Sequence, residues 1–161
     1  MTLILTFLLC AGTGGTIVLE LISRRRQLLS MLELIRYLRR EIRLSGLPLN
    51  RLFSSSSCPK DLPLLEAMNC DEPFDLLENY RKGKALSVES SFFSPSDWEA
   101  CDVLFSALGQ GDLEEQERRL ETAEGYFSNA AEGVRRNISG KGRSALVLGC
   151  SVGAVLVLIL M

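Results

Sequence analysis

Two apolar stretches, Thr2 to Leu19 and Ala145 to Met161, bracket a chain whose every Lys and Arg lies between Arg24 and Arg143. An uncharged run of about 18 residues is long enough to cross a hydrocarbon core of roughly 30 Å as a helix, and helices of a water-soluble core rarely go so far without a charge. The pattern predicts an all-α protein: a membrane-anchored antiparallel helical bundle flanked by N- and C-terminal transmembrane helices. The segments are a span at 1–22, a helical module at 23–143 and a second span at 144–161.

The cations set the expected orientation. Arg24, Arg25 and Arg26 follow the first run, and Lys141 and Arg143 precede the second, while the outer ends of both runs carry no charged side chain. By the positive-inside rule the module is cytoplasmic and both termini lie at the far face. A cleaved signal peptide would need a cationic start, but the chain begins Met1-Thr2-Leu3-Ile4-Leu5. A lipoprotein signal would need a small residue before Cys10, where Phe7-Leu8-Leu9 stands. The second run has 17 residues, so spanning there leans on Ser144 and a snorkelling Arg143. Small residues recur every four positions, Ala11 and Gly15 in the first run and Ala145, Gly149 and Gly153 in the second. Such spacing lets helices approach closely in lipid, within the hairpin or between copies in a homo-oligomer.

Charge divides the module. Arg24 to Arg51 holds eight Arg against Glu33 and Glu41, whereas Leu52 to Arg143 holds ten basic against seventeen acidic residues. The cationic part suits anionic headgroups or an acidic partner. Nucleic acid is not expected, since Tyr37 and Phe53 are the basic segment's aromatics available to stack on bases. Five cysteines without a CxxC pair, in a reducing compartment, point to free thiols. The chain has no His, which removes Ser-His and Cys-His catalysis and His-ligated metals. No enzyme and no cofactor is expected.

Local signals place the helices. Leu28, Met31, Leu32, Ile35, Leu38 and Ile42 recur at three and four residues, so one helix should continue from the first run to about Leu44. Gly46 can take a left-handed cap and Pro48 fits the first turn of a short helix over Leu49 to Phe53. Asp61 or Pro63 opens another short helix to Met68, and Asp71-Glu72-Pro73 a further one that Arg81-Lys82-Gly83-Lys84 should close. Ser94-Pro95-Ser96-Asp97 is the strongest start signal, for a helix burying Trp98, Cys101, Leu104, Phe105 and Leu108 and ending at Gly109. Asp112 with Glu115 reads as an acidic capping box for a last helix carrying Leu113, Gln116, Leu120, Ala123, Tyr126, Phe127, Ala130 and Val134, with a break at Gly140-Lys141-Gly142.

Motifs for chemistry are lacking. Glu114, Glu115, Glu117, Glu121 and Glu124, interleaved with Arg118 and Arg119, read as a solvated helix face. Gly12-Thr13-Gly14-Gly15 lies in an apolar run and lacks the following Lys of a phosphate loop. Glu20 at the inner edge of a span has three arginines as ready ion-pair partners. Two surfaces are candidates for partner binding: the acidic one of Glu114, Glu117 and Glu121, and the cationic one of Arg36, Arg39 and Arg43.

The order of features resembles the stage III sporulation protein AB family of endospore-forming bacteria. An N-terminal anchor with trailing arginines leads to Arg40-Glu41-Ile42-Arg43-Leu44-Ser45-Gly46-Leu47-Pro48-Leu49, then Asp97-Trp98, then Leu108-Gly109-Gln110-Gly111-Asp112 with Gln116 and Leu120, then a C-terminal anchor. Glu41, Ile42, Gly46, Pro48, Leu108, Gly109, Asp112 and Gln116 stand in the places of the family pattern, which this chain leaves over Ser54 to Ser91 and at the entry to the last span. The resemblance implies a subunit of the mother-cell-to-forespore channel, similar in fold to the cytoplasmic helical domains of type II secretion and type IV pilus platform proteins. It implies as partners a cytoplasmic ATPase, stage III sporulation protein AA, and the other membrane subunits of that channel. The implied location is the mother-cell side of the forespore membrane, as a two-pass protein. A small membrane sensor or transporter accessory using Glu20 is the alternative from another class.

Overall fold

The computed structural model describes the backbone of residues 2–45, 48–59, 61–68 and 74–142, and the side chains of 16, 18–44, 48–59, 61–68 and 74–140. These residues are all helical apart from their connections, with no strand among them. The helices are α1 (Thr2–Ser45), α2 (Leu49–Ser54), α3 (Pro63–Ala67), α4 (Leu76–Ser87), α5 (Pro95–Ala107) and α6 (Leu113–Asn137). Contacts divide the chain into two units, 26–131 and a second made of 1–25 with 132–161.

In the first of these units the apolar stripe of α1 is buried as its spacing predicts: Leu28, Met31, Leu32, Ile35 and Leu38 are 5 % exposed or less. The buried face is wider than that stripe, taking in Leu34 and Tyr37 as well. Polar atoms at its edge are matched: Tyr37 donates to the Leu52 carbonyl at 3.2 Å, and the Gln27 side-chain oxygen accepts from the Phe92 amide at 2.7 Å and the Ser91 hydroxyl at 3.1 Å. Buried polar groups without such partners would each cost about 1–3 kcal/mol.

The short helices follow their punctuation with two differences. Pro48 stands just ahead of α2 in extended conformation, not inside its first turn, and its carbonyl accepts from the Arg51 and Leu52 amides. Proline's fixed φ fits that position as well as it fits a helix. The Gly46 cap and the Asp71-Glu72-Pro73 start lie outside the described residues. Helix α4 is instead capped by Asp75, whose carboxylate accepts from the Glu78 amide at 3.0 Å. It does not stop at Gly83 but continues to Ser87. The glycine there serves packing: a Cβ on it would lie 2.7 Å from Met68 Cγ and 3.1 Å from the Leu64 carbonyl oxygen, so α3 and α4 meet at a distance that a side chain would prevent.

Helix α5 has the start its sequence announces, a reciprocal capping box in which the Asp97 amide donates to Ser94 Oγ at 3.3 Å and the Ser94 amide to Asp97 Oδ2 at 2.8 Å. Trp98, Cys101, Leu104, Phe105 and Leu108 are all buried. Phe105 centres an aromatic cluster, stacked on Tyr80 at 4.4 Å between ring centroids and tilted against Phe53 at 6.3 Å. In α6 the buried stripe is Leu120, Phe127, Ala131 and Val134, whereas Leu113 and Tyr126 are exposed.

Side-chain pairs fix the directions. Arg36 meets Glu124 while Arg43 meets Glu117, so α1 and α6 run antiparallel. Tyr80 meets Phe105 and Lys84 meets Trp98, which sets α4 against α5 in the same way. Tyr126 donates to Asp97 and Arg119 to the Ala107 carbonyl, which does so for α5 and α6. The antiparallel helical bundle is thereby observed within 26–131.

In the other unit, Glu132 pairs with Arg135 at 2.8 Å and Arg136 at 3.7 Å. Where a break was expected at Gly140-Lys141-Gly142, the chain passes into a wider π-helical turn, Ile138–Gly142. No helix among the described residues is long and apolar enough to cross a membrane. The side chains of Ala11 and Gly15, and the whole second run with Ala145, Gly149 and Gly153, lie outside the described residues.

Candidate partner-binding surface

Two motif segments far apart in sequence meet at the C-terminal end of α1. Leu108 is buried and ends α5, and Gly109 follows with φ +83°, a left-handed conformation that strains residues bearing a Cβ. A Cβ on Gly109 would lie 3.0 Å from Leu49 Cδ1, so this turn backs directly onto the residue after Pro48. Gly111, at φ +86°, completes the reversal. Asp112 then caps α6, accepting from the Glu115 amide at 2.8 Å, and Gln116 reaches back to the Gly111 carbonyl at 3.4 Å. The expected capping box is half formed, because the Glu115 carboxylate pairs with Arg119 one turn on. Glu41 and Ile42, half-buried, complete the motif at this end, and Arg40 contacts Glu41 at 3.4 Å.

The two candidate docking surfaces turn out to be one. Arg36 pairs with Glu124 at 2.8 Å, Arg39 lies 3.7, 3.8 and 3.2 Å from Glu117, Glu121 and Glu124, and Arg43 lies 3.7 Å from Glu117. Arginines every three to four residues on α1 thus interleave with glutamates every three to four on α6. Hydrogen bonds from Arg36 first, then from Arg39, outweigh partial burial and hold the Glu124 carboxyl below its ordinary value. The acidic run is therefore not a wholly solvated face, since Glu117, Glu121 and Glu124 pair with α1 and Glu115 pairs with Arg119 along α6. Glu114 stays clear of the ladder. Beside it on the same end, Leu44 is 75 % and Leu113 52 % exposed.

A second polar cluster gave no local sequence signal. Asp102 of α5 accepts from the Tyr80 hydroxyl at 2.6 Å and from Lys84 Nζ at 2.7 Å to both oxygens. Partial burial opposes its charge, yet the hydrogen bonds from Lys84 and Tyr80 prevail and hold its pKa down. Burial, with the Asp102 hydrogen bond second, pushes the Tyr80 hydroxyl up. The same ammonium sits 5.5 Å over the Trp98 ring. Cys101 is fully buried and its thiol is pushed up by desolvation and then by Asp97 and Asp102, which suits an inert core thiol. Tyr80 and Lys84 are one turn apart on α4, but their partner comes from another helix and no spacing rule points to it. Among the described residues no group of three or more Cys, Asp and Glu side chains is arranged to hold a metal ion.

No curated protein and no solved structure matches the chain significantly. The family model of stage III sporulation protein AB matches residues 1–161, in agreement with the resemblance carried by Glu41 to Leu49 and Leu108 to Gln116. The chain belongs to the stage III sporulation protein AB family, and with it to stage III of sporulation.

Proposed function

We propose that this protein is a non-enzymatic membrane platform subunit of the mother-cell-to-forespore channel, coupling a cytoplasmic ATPase of the stage III sporulation protein AA kind to the other membrane subunits. In this reading 1–22 and 144–161 are membrane helices and the module between them is cytoplasmic, as Arg24 to Arg26, Lys141 and Arg143 direct. The supporting observation is the meeting of two motif segments, the turn from Leu108 to Gln116 and the Pro48–Leu49 start of α2, at one end of the bundle, where left-handed turns at Gly109 and Gly111 and a helix-capping Asp112 lie beside the exposed Leu44, Leu113 and Glu114. Large exposed apolar side chains rimmed by charge, held on fixed backbone, mark an interaction surface. The Arg36, Arg39 and Arg43 ladder keeps α1 and α6 in register beneath it, so its arginines act by positioning that surface and through their own exposed edges.

The test is retention of the cognate ATPase by the full-length chain in mild detergent. The native chain should bind, and Leu113→Asp with Glu114→Arg should lose about tenfold or more in affinity at low salt with helical content unchanged. Absence of any binding by the native chain would refute the platform role and return the sensor reading. Loss only on changing Arg36 would move the docking face to the flank of the ladder.

A further inference from the structure

Helix α4 hands over to α5 through a connection that leaves its apolar side chains outside the core. Leu86 is 73 %, Val88 47 % and Phe92 42 % exposed. The stretch from Leu86 to Phe92 carries Glu89 as its one charged residue. Large apolar side chains gathered on one exposed connection mark a surface that something covers.

Helix directions decide where this patch lies. Within 26–131, α6 runs antiparallel to α1, α5 to α6 and α4 to α5. The end of α4 and the start of α5 therefore share the end at which α1 begins there, opposite to Leu44 and Leu113. Two hydrogen bonds fix the place: the Phe92 amide donates to Gln27 Oε1 at 2.7 Å and the Ser91 hydroxyl to the same oxygen at 3.1 Å. Gln27 stands five residues beyond Ile22, and α1 is one helix over that stretch. Five residues of helix rise about 8 Å, and the headgroup layer on each side of a hydrocarbon core is about 5–8 Å thick. If 22 ends the span, the Phe92 backbone is tied to α1 at the outer edge of that layer, and its side chain is long enough to reach in. Arg24, Arg25 and Arg26, on the intervening turn of α1, draw anionic lipid to the same level. The Glu89 carboxylate limits the depth, since a charge is costly to carry into hydrocarbon.

We infer that the connection between α4 and α5 is a membrane-surface contact, with Leu86, Val88 and Phe92 seated among the lipid headgroups beside the first span. The inference rests on the reading of 1–22 as a membrane helix and adds a second point of attachment to it. A single helix is free to turn about its own axis in lipid. A surface contact tied to α1 through Gln27 removes that freedom, and so fixes which way the Leu44 and Leu113 end faces a partner.

The experiment places one bimane label at a time on Leu86→Cys, Val88→Cys or Phe92→Cys in the full-length chain without its native cysteines, reconstituted in vesicles of phosphatidylcholine and phosphatidylglycerol. A nitroxide at the top of the lipid acyl chains is the quencher. Leu19→Cys reports on the span and Leu113→Cys on the opposite end of the bundle. All five positions are exposed, so the labels leave the core intact and helical content should match the native chain. Labels on the connection should be quenched about threefold or more beyond the Leu113→Cys label, as for side chains lying at the boundary of headgroups and acyl chains. Quenching at Leu19→Cys with none at the connection beyond the Leu113→Cys level would overturn this inference alone and give the patch to a protein partner. An unquenched Leu19→Cys label would overturn the membrane helix itself, and the surface contact with it.

Discussion

Replacing Gly83 by Ala should destabilise the bundle, although the same change in an open helix does the opposite. In a helix interior Ala is preferred to Gly by about 1 kcal/mol, since Gly loses more backbone freedom on folding. Against that gain stands α3. The new Cβ would sit 2.7 Å from Met68 Cγ, 3.1 Å from the Leu64 carbonyl oxygen and 3.3 Å from the Met68 amide nitrogen. The methionine can rotate away, but the other two atoms are backbone, and relieving them means shifting α3 with Leu64, itself 2 % exposed. Overpacking of this kind costs about 1–3 kcal/mol, so the net effect should be a loss of about 1 kcal/mol for Gly83→Ala. Gly83→Val should cost more, because branching at Cβ adds bulk where the backbone is nearest.

Gly125 supplies the control within α6. A Cβ there meets nothing within 4 Å, so Gly125→Ala should stabilise by about 0.5–1 kcal/mol. The two alanine variants should therefore differ by about 2 kcal/mol, or roughly 4–8 °C in Tm for a chain of this size. Thermal unfolding of the full-length protein followed by circular dichroism reads that difference. A Gly83→Ala variant as stable as Gly125→Ala would refute the close approach of α3 and α4.

Legibility of the fold tracked how local each determinant was. The α5 start was readable because Ser94, Pro95 and Asp97 act on amides three residues away, and the α1 stripe because its burial repeats every turn. Gly83 reads locally as a stop because composition cannot distinguish a glycine that ends a helix from one that admits a neighbour; the atoms that decide belong to Leu64 and Met68. Leu113 and Tyr126 fit the apolar pattern of α6 yet lie exposed, because helical periodicity gives a face but not its limits. The candidate surfaces suffered most. Arg36, Arg39 and Arg43 on one helix and Glu117, Glu121 and Glu124 on another each show helical spacing, but their mutual neutralisation depends on the antiparallel register of α1 and α6. Asp102 with Tyr80 and Lys84 was invisible for the same reason.

Further expectations concern the core, the ladder and the topology. Phe105→Ala should cost about 3–5 kcal/mol in urea unfolding, given a ring 1 % exposed and packed on both Tyr80 and Phe53; a loss below about 1 kcal/mol would mean that the cluster is not formed. Single Cys reporters at Ser90 or Ser128, both exposed, in a chain without its native cysteines should resist an impermeant thiol reagent in intact cells and label after lysis; labelling before lysis would reverse the proposed orientation. The ladder should show in acid. Because Arg36 and Arg39 depress the Glu124 pKa in the folded state, its contribution is present above the unfolded value, near 4.5, and is lost as pH falls through the lower folded value. The slope of stability against pH below 4.5 should therefore be shallower in Glu124→Gln than in the native chain. Equal slopes would mean that Glu124 is as free in the folded protein as in the unfolded one, and the register of α1 on α6 would lose its electrostatic support.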